Sequence, residues 1–164
     1  MLIILTGFSA VTYLSCAKKD KCNNVICYNK GTCNNGKCVC PVGYEGTNCE
    51  TLSRDKFVSV YHGGDSCTYG FYGDSTAYRQ YANSIRLTAE IFKPLELKMT
   101  NFLNDVNDSA ICTMIKVDSF SFLGANNSTT YNGTGWLRRD TLFLQYHVIH
   151  DTTAYHCTYW GLRY

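Results

Sequence analysis

Three histidines and an aspartate near the C-terminal end are the residues whose types could bind a metal ion or move protons. They are His147, His150, Asp151 and His156. Imidazole and carboxylate groups are common zinc ligands, but they bind one ion only when they converge on one point. His147 and His150 are three residues apart, so they point to opposite faces if a strand runs through both. The pattern therefore favours histidines at or near the surface and predicts no metal site.

The other candidates for reaction chemistry are a second histidine–carboxylate pair and one cysteine. His62 and Asp65 are close in sequence, and Cys112 could act as a nucleophile. The sequence contains no G-x-S-x-G, H-E-x-x-H or P-loop motif, and no local signature of a cysteine nucleophile surrounds Cys112. We therefore expect a protein that is not an enzyme, with no catalytic residues and no cofactor.

Six cysteines lie within one short stretch, which is too small to bury a useful core and must be held by cross-links. Disulfides persist only in an oxidising compartment, so the protein is expected outside the cytoplasm. A zinc site is the alternative, but zinc sites favour C-x-x-C pairs and this stretch has only C-x-C. Six cysteines allow fifteen pairings. The spacing is C-x4-C-x5-C-x4-C-x-C-x8-C, formed by Cys22, Cys27, Cys33, Cys38, Cys40 and Cys49.

The second half of this stretch, CVCPVGYEGTNC, resembles an EGF-like module. The resemblance rests on the C-x-C pair, the Gly43-Tyr44 step, Gly46 and the last cysteine, and the module would cover residues 22–50. What it implies is a specific disulfide pattern: Cys22–Cys33, Cys27–Cys38 and Cys40–Cys49.

Calcium is not expected in this module. Calcium-binding EGF-like modules carry a cluster of acidic ligands just before the first cysteine. The corresponding run here is Lys18-Lys19-Asp20-Lys21, in which one carboxylate stands among three lysines. A hard cation needs several oxygen ligands, and this run would repel it.

The first fifteen residues carry no charged side chain, and the run is too short for a membrane-spanning helix. We expect a signal peptide at 1–15. The following Leu14-Ser15-Cys16 resembles the loose lipobox of Bacteroidota lipoproteins, in which the cysteine becomes lipidated. Cys16 has no local partner, which a thioether-linked lipid would explain. Residues 16–21 would then be a lipidated tether; a plain signal peptide cut nearby is the alternative.

Residues 57–164 are rich in β-favouring residues and follow a polar stretch at 51–56 that is expected to be a linker. Ile111–Val117 alternates like a strand, with Cys112 and Met114 on one face. We expect about seven or eight antiparallel strands, in a sandwich or a small barrel. The chain is thus predicted to be mostly β. The strands are expected at Lys56–Tyr61, Tyr81–Leu87, Leu95–Phe102, Ile111–Val117, Ser119–Leu123, Tyr131–Leu137, Thr141–Ile149 and Ala154–Arg163.

Two local features refine this pattern. A hairpin turn is expected at Arg138-Arg139-Asp140, and the strand after it would place Leu142, Leu144, Tyr146 and Val148 on one face. Residues 84–103 contain helix-favouring residues as well. We favour strands there, because Pro94 and the alternation of the residues after it disfavour a continuous helix.

Three cysteines of the β domain cannot all pair with one another. In a closed meander the first and last strands are neighbours, so we expect a Cys67–Cys157 disulfide and a buried free thiol at Cys112. Such a bond would close a long loop, worth up to about 4–5 kcal/mol in the chain-entropy model. Cys67–Cys112 is the alternative pairing.

Possible partners are limited by charge and suggested by aromatic content. A net charge of +2 with scattered basic residues argues against a nucleic-acid partner. The tyrosine-rich stretches at 69–81 and 155–164 could form a contact surface for a protein or a glycan, or they could pack as core residues.

The whole arrangement resembles small outer-membrane lipoproteins of Bacteroidota, in which an EGF-like module separates the lipidated cysteine from a lipocalin-like β-meander. The matching features are Cys16, the module at 22–49, and the segments KFVSVY, MTNF, NGTGW and LFLQY before a last cysteine. The resemblance implies a non-enzymatic protein held at the outer membrane and cell surface by its lipid, with an EGF-like spacer that presents the β domain to a protein or glycan. The alternatives are a lipocalin-like small-ligand-binding protein and a secreted EGF-like adhesion protein.

Overall fold

The computed structural model describes residues 20–69, 77–101, 109–126 and 128–164. The chain is mostly β and consists of a small disulfide-rich module followed by a closed, eight-stranded antiparallel barrel, which confirms the predicted fold class. Of the two predicted architectures for the β domain, the structure has the barrel. The signal peptide expected at 1–15 and the lipidation site Cys16 lie outside the described residues. No described residue belongs to a helix long and apolar enough to cross a bilayer.

The disulfide-rich module has two small antiparallel sheets held by three disulfides. One hairpin turns at Asn35 and Gly36, which both have positive φ, as a two-residue hairpin turn requires. The bonds are Cys22–Cys33, Cys27–Cys38 and Cys40–Cys49, the pairs that the EGF-like resemblance implies. The strands are β1 (Thr32–Asn34), β2 (Lys37–Val39), β3 (Tyr44–Glu45) and β4 (Thr51–Leu52).

The barrel is a simple meander in which each strand pairs with the next and the last pairs with the first. The helical interpretation of residues 84–103 does not apply, because two strands and a turn occupy the described part of that segment. The strands are β5 (Ser59–Tyr69), β6 (Ala77–Ala89), β7 (Glu96–Thr100), β8 (Ser109–Lys116), β9 (Ser119–Asn126), β10 (Thr129–Arg138), β11 (Thr141–His150) and β12 (Thr153–Arg163).

The barrel interior is packed with large side chains. The four residues predicted to share one face of β11 do so, and the structure shows that this face is the buried one. Cys112 and Met114 likewise share the buried face of β8. Glycines at inward positions make room for rings: a Cβ on Gly124 would overlap Tyr131, and one on Gly135 would overlap Phe120. The largest fully buried side chains include Tyr61, Tyr131, Tyr146, Tyr159, Phe57 and Phe120.

The segment expected to be a polar linker at 51–56 is a structured part of the fold. It forms β4 and most of a 3₁₀ helix at Ser53–Phe57. Phe57 is fully buried against the edge of Phe120, with ring centroids 5.3 Å apart. Arg54 is also buried, and its Nη1 donates hydrogen bonds to the carbonyls of Glu90, Lys93 and Glu96 in the β6–β7 turn. The polar composition of this segment suggested a solvated linker, but its polar side chains include Arg54, which is buried and hydrogen-bonded within the fold.

The module contacts the barrel at this same end. Gly43 has φ +89°, and a Cβ there would overlap Leu95 Cδ2 in the β6–β7 turn. Ser53 N–H donates to the Gly43 carbonyl at 2.9 Å, and Lys56 Nζ lies 2.7 Å from Glu45 Oε2. The absence of a side chain at Gly43 therefore permits the close approach of the two parts.

A disulfide joins the first and last strands of the barrel. Cys67 on β5 pairs with Cys157 on β12, and Cys112 is a buried free thiol. This is the arrangement favoured by the sequence, and the alternative Cys67–Cys112 bond is not formed.

Candidate functional site

The main candidate for a contact site is a row of three aromatic rings on the outer face of the barrel, which we call the aromatic strip. It consists of Trp136 on β10, Phe143 on β11 and Trp160 on β12, which are directly opposite one another in the strand register. The residues that adjoin the strip along β11 and β12 point into the core; they are Leu142, Leu144 and Tyr159. Because successive side chains of a strand lie on opposite faces, the strip lies on the outer face.

The strip combines an ordered ring pair with a freely accessible ring. Trp136 and Phe143 are stacked, with ring centroids 5.7 Å apart and planes 11° from parallel. The Trp160 side of the strip is open, because 57% of that residue is exposed and its partner on β5 is Gly64. An apolar surface is thus presented to solvent without a bulky neighbour on its β5 side.

A row of uncharged polar residues lies beside the aromatic strip. The four residues are in register across four strands, two positions along each strand from the strip, or roughly 7 Å. Their amide and hydroxyl groups offer both hydrogen-bond donors and acceptors. They are Thr134, Gln145, Thr158 and Ser66.

The histidines do not form one cluster. His147 is opposite His156 across β11 and β12, whereas His150, at the end of β11, lies beside Thr129. His147 and His150 are therefore separated, as their odd spacing predicts. The described residues contain no group of three or more histidine, cysteine, aspartate or glutamate side chains placed to hold a metal ion.

The second predicted histidine–carboxylate pair is also split by the strand. His62 is exposed and its Nδ1 lies 2.7 Å from Ser84 Oγ, while Asp65 is only 3% exposed inside the barrel. The three-residue spacing places the two side chains on opposite faces of β5. They cannot act together on one substrate.

Asp65 is the centre of a polar cluster in the barrel core. Its carboxylate accepts hydrogen bonds from Tyr146 Oη at 2.5 Å and from Asn83 Nδ2 at 2.8 Å. Burial raises the pKa of Asp65, although both hydrogen bonds lower it. Burial also raises the pKa of Tyr146, and the nearby Asp65 charge adds to the effect. Among the described residues, Asn83 Oδ1 is buried and has no hydrogen-bond partner.

Cys112 lacks the properties of a nucleophile. The residue has no exposed surface, and burial raises the pKa of its thiol far above the usual range. Reactive cysteines have a lowered pKa and some access to solvent. Cys112 therefore serves as a core residue of β8.

The tyrosine-rich stretch at 155–164 divides between core and surface. Tyr159 is buried and Tyr155 is partly buried, whereas Trp160 and Tyr164 are exposed. The side chains of the other stretch, 69–81, lie outside the described part of the chain. Sequence reasoning did not single out Trp136 and Phe143. The structure has a two-residue turn at Arg139 and Asp140, which pairs Trp136 with Phe143. The three-residue turn expected at Arg138-Arg139-Asp140 would instead have paired Trp136 with Leu142, so the sequence prediction did not reveal the pair.

Comparison with protein-family models, with curated proteins and with solved structures finds no match to this chain.

Proposed function

We propose that this chain is a non-enzymatic cell-surface lipoprotein, held at the outer membrane through a lipid on Cys16. The disulfide-rich module is the EGF-like spacer, and the barrel is the part that contacts a partner. The favoured partner is a glycan. The observation that carries this proposal is the aromatic strip of Trp136, Phe143 and Trp160 on the outer face of the barrel.

The strip supports a contact function because the fold does not need it for its core. The interior is already filled by buried tyrosines, phenylalanines and aliphatic residues. Large aromatic rings that remain on the surface and adjoin one another are typical of binding faces. The filled interior supports contact through the outer face rather than the lipocalin-like alternative of a ligand inside the barrel.

The polar row beside the strip suits a glycan. Aromatic rings pack against the C–H faces of sugars, while amide and hydroxyl groups exchange hydrogen bonds with sugar hydroxyls. The neighbouring row of Thr134, Gln145, Thr158 and Ser66 supplies such groups and carries no charge.

The test is glycan-array binding by the full chain, produced in an oxidising compartment, followed by calorimetry with the best ligand. Trp160→Ala is expected to weaken binding at least tenfold. Leu162→Ala is the matched control, because Leu162 lies on the same face of the same strand and is also 57% exposed. An array without signal, together with a captured surface protein that Trp160→Ala releases, would instead favour a protein partner.

Lipid anchoring requires its own measurement, because a secreted protein could use the same strip. Mass spectrometry of the mature N-terminus is expected to find a lipidated Cys16. An unmodified Cys16, or a terminus elsewhere, would favour the secreted EGF-like alternative.

A further inference from the structure

A pair of histidines on the outer face of the barrel has the geometry of a small metal site. His147 and His156 are directly opposite in the ladder between β11 and β12, and both are exposed. Their Nδ1 atoms are 3.1 Å apart, and the rings are nearly perpendicular, with centroids separated by 4.2 Å. The Nδ1 atoms of the two imidazoles thus lie within reach of one bound ion on the outer surface of the sheet.

The separation of the two nitrogens fits two ligands of one metal ion. Imidazole nitrogens bind zinc at about 2.0–2.1 Å, and copper at a similar distance. At ligand–metal–ligand angles of about 90–110°, two such nitrogens lie roughly 2.8–3.4 Å apart. The observed 3.1 Å is within this range. In the free protein the two imidazoles share a hydrogen bond, and a cation would replace the proton between them.

The surroundings of the pair also suit a cation. The outward positions next to the histidines carry no lysine or arginine, so no neighbouring positive charge would repel a bound cation. Both strands are paired on each side within the barrel, which holds the two backbones in place. Little ordering is therefore needed on binding. The neighbouring outward residues are Asn132, Gln145, Ile149, Ala154, Thr158 and Thr68.

We propose that His147 and His156 bind one divalent transition-metal ion of the class that prefers imidazole. Two nitrogen ligands leave the other coordination positions to water, so the ion is exchangeable. The usual affinity order of such ligands gives Cu²⁺ preference over Zn²⁺ and Ni²⁺. The site is about four residues along the strands from the aromatic strip, or roughly 13 Å, and does not depend on the function proposed for that strip.

The test is calorimetric titration of the full chain with CuCl₂ and with ZnCl₂, supported by electron paramagnetic resonance of the copper-loaded protein. We expect one histidine-dependent equivalent, tighter for Cu²⁺, with a spectrum typical of two nitrogen ligands. His147→Ala and His156→Ala should each weaken this equivalent at least tenfold. His62→Ala and His150→Ala are the matched controls, because they remove the other two histidines, which are also exposed, and should leave binding unchanged.

Three results would overturn the proposal. The first is that neither metal ion binds. The second is that one ion still binds with unchanged affinity to both His147→Ala and His156→Ala. The third is that binding is lost in His150→Ala or His62→Ala. These outcomes are independent of glycan binding, which is measured on the metal-free protein.

Discussion

Cys67 and Cys157 are directly opposite each other in the ladder between β5 and β12, with their Cα atoms 4.1 Å apart, and a disulfide joins them. This ladder is the seam at which the first and last strands close the barrel. A single covalent bond therefore links two chain positions that are 90 residues apart in sequence.

Removal of this bond should destabilise the barrel strongly. The double variant Cys67→Ala/Cys157→Ala is expected to lose up to about 4–5 kcal/mol of unfolding free energy, because its unfolded chain regains the freedom of a long open loop. Urea denaturation would measure the loss, in a Cys112→Ala background so that no new bridge can form. An unfolding free energy equal to that of Cys112→Ala alone would contradict the expectation.

Burial of Asp65 should make stability depend on pH. Because its pKa is raised in the folded state, the folded protein holds this proton more tightly than the unfolded chain. The contribution is present below the unfolded pKa of about 3.8 and is lost as pH rises through the folded pKa, by at most about 1.4 kcal/mol per pH unit. Asp65→Asn should lack this decline.

Urea denaturation from pH 3.5 to pH 7 would measure the Asp65 effect as the difference between wild type and Asp65→Asn. In the variant, an amide can still accept from Tyr146, and it can donate to Asn83 Oδ1, which has no partner in the native protein. The matched control is Asp118→Asn at an exposed turn. Equal pH profiles for Asp65→Asn and wild type would rule out the effect.

Arg54 should stabilise the end of the barrel at which the β6–β7 turn lies. Its guanidinium satisfies three carbonyls of the β6–β7 turn, and Arg54→Met keeps the apolar stem while removing those donors. We expect a loss of about 2 kcal/mol or more, because charge-assisted hydrogen bonds are lost from a buried position. Urea denaturation is the measurement. Arg86→Met, at an exposed position of β6, should change stability by less than about 0.5 kcal/mol.

Gly43 should contribute to the contact between the module and the barrel. Gly43→Ala introduces a Cβ that meets Leu95 and places alanine at positive φ. We expect hydrogen exchange of the Ser53 amide, which donates to the Gly43 carbonyl, to become at least tenfold faster. Gly36→Ala is the control, because Gly36 also has positive φ while its Cβ would meet nothing closer than 3.2 Å. Unchanged exchange in Gly43→Ala would show that the contact tolerates a side chain.

The Cys112 thiol should react only when the barrel opens. It is fully buried and its pKa is raised, so little thiolate is present at neutral or mildly alkaline pH. Labelling with a thiol reagent at pH 8 is expected to be at least a hundredfold slower than in urea. Rapid labelling of the native protein would mean that β8 is accessible and that this part of the core is not closed.

The sequence predicted those features that depend on alternation and on chain order. Alternation grouped Leu142 with Leu144, and Cys112 with Met114, on single strand faces that the structure buries. The adjacency of the first and last strands in a meander indicated the Cys67–Cys157 bond. The His147–His156 pair was missed because it depends on the register of one hairpin. A two-residue turn at Asp151 and Thr152 brings the two histidines opposite each other, and that turn had not been located.

The structured conformation of residues 51–56 was missed for a different reason. The composition of a segment shows that a residue is polar, but it does not show which groups that residue hydrogen-bonds to. Arg54 hydrogen-bonds to carbonyls 36–42 residues away in sequence, in a turn that exists only once the barrel has formed. No local pattern around Arg54 carries that information.

The aromatic strip contains both tryptophans of the chain. Intrinsic fluorescence excited at the tryptophan band therefore originates entirely from this outer surface. A ligand that covers the strip would exclude water from the rings and shift their emission toward the blue. Opening of the barrel would change the environment of Trp160 far less, since this ring is already in contact with solvent in the folded protein. The protein thus carries a built-in optical reporter for occupancy of this face.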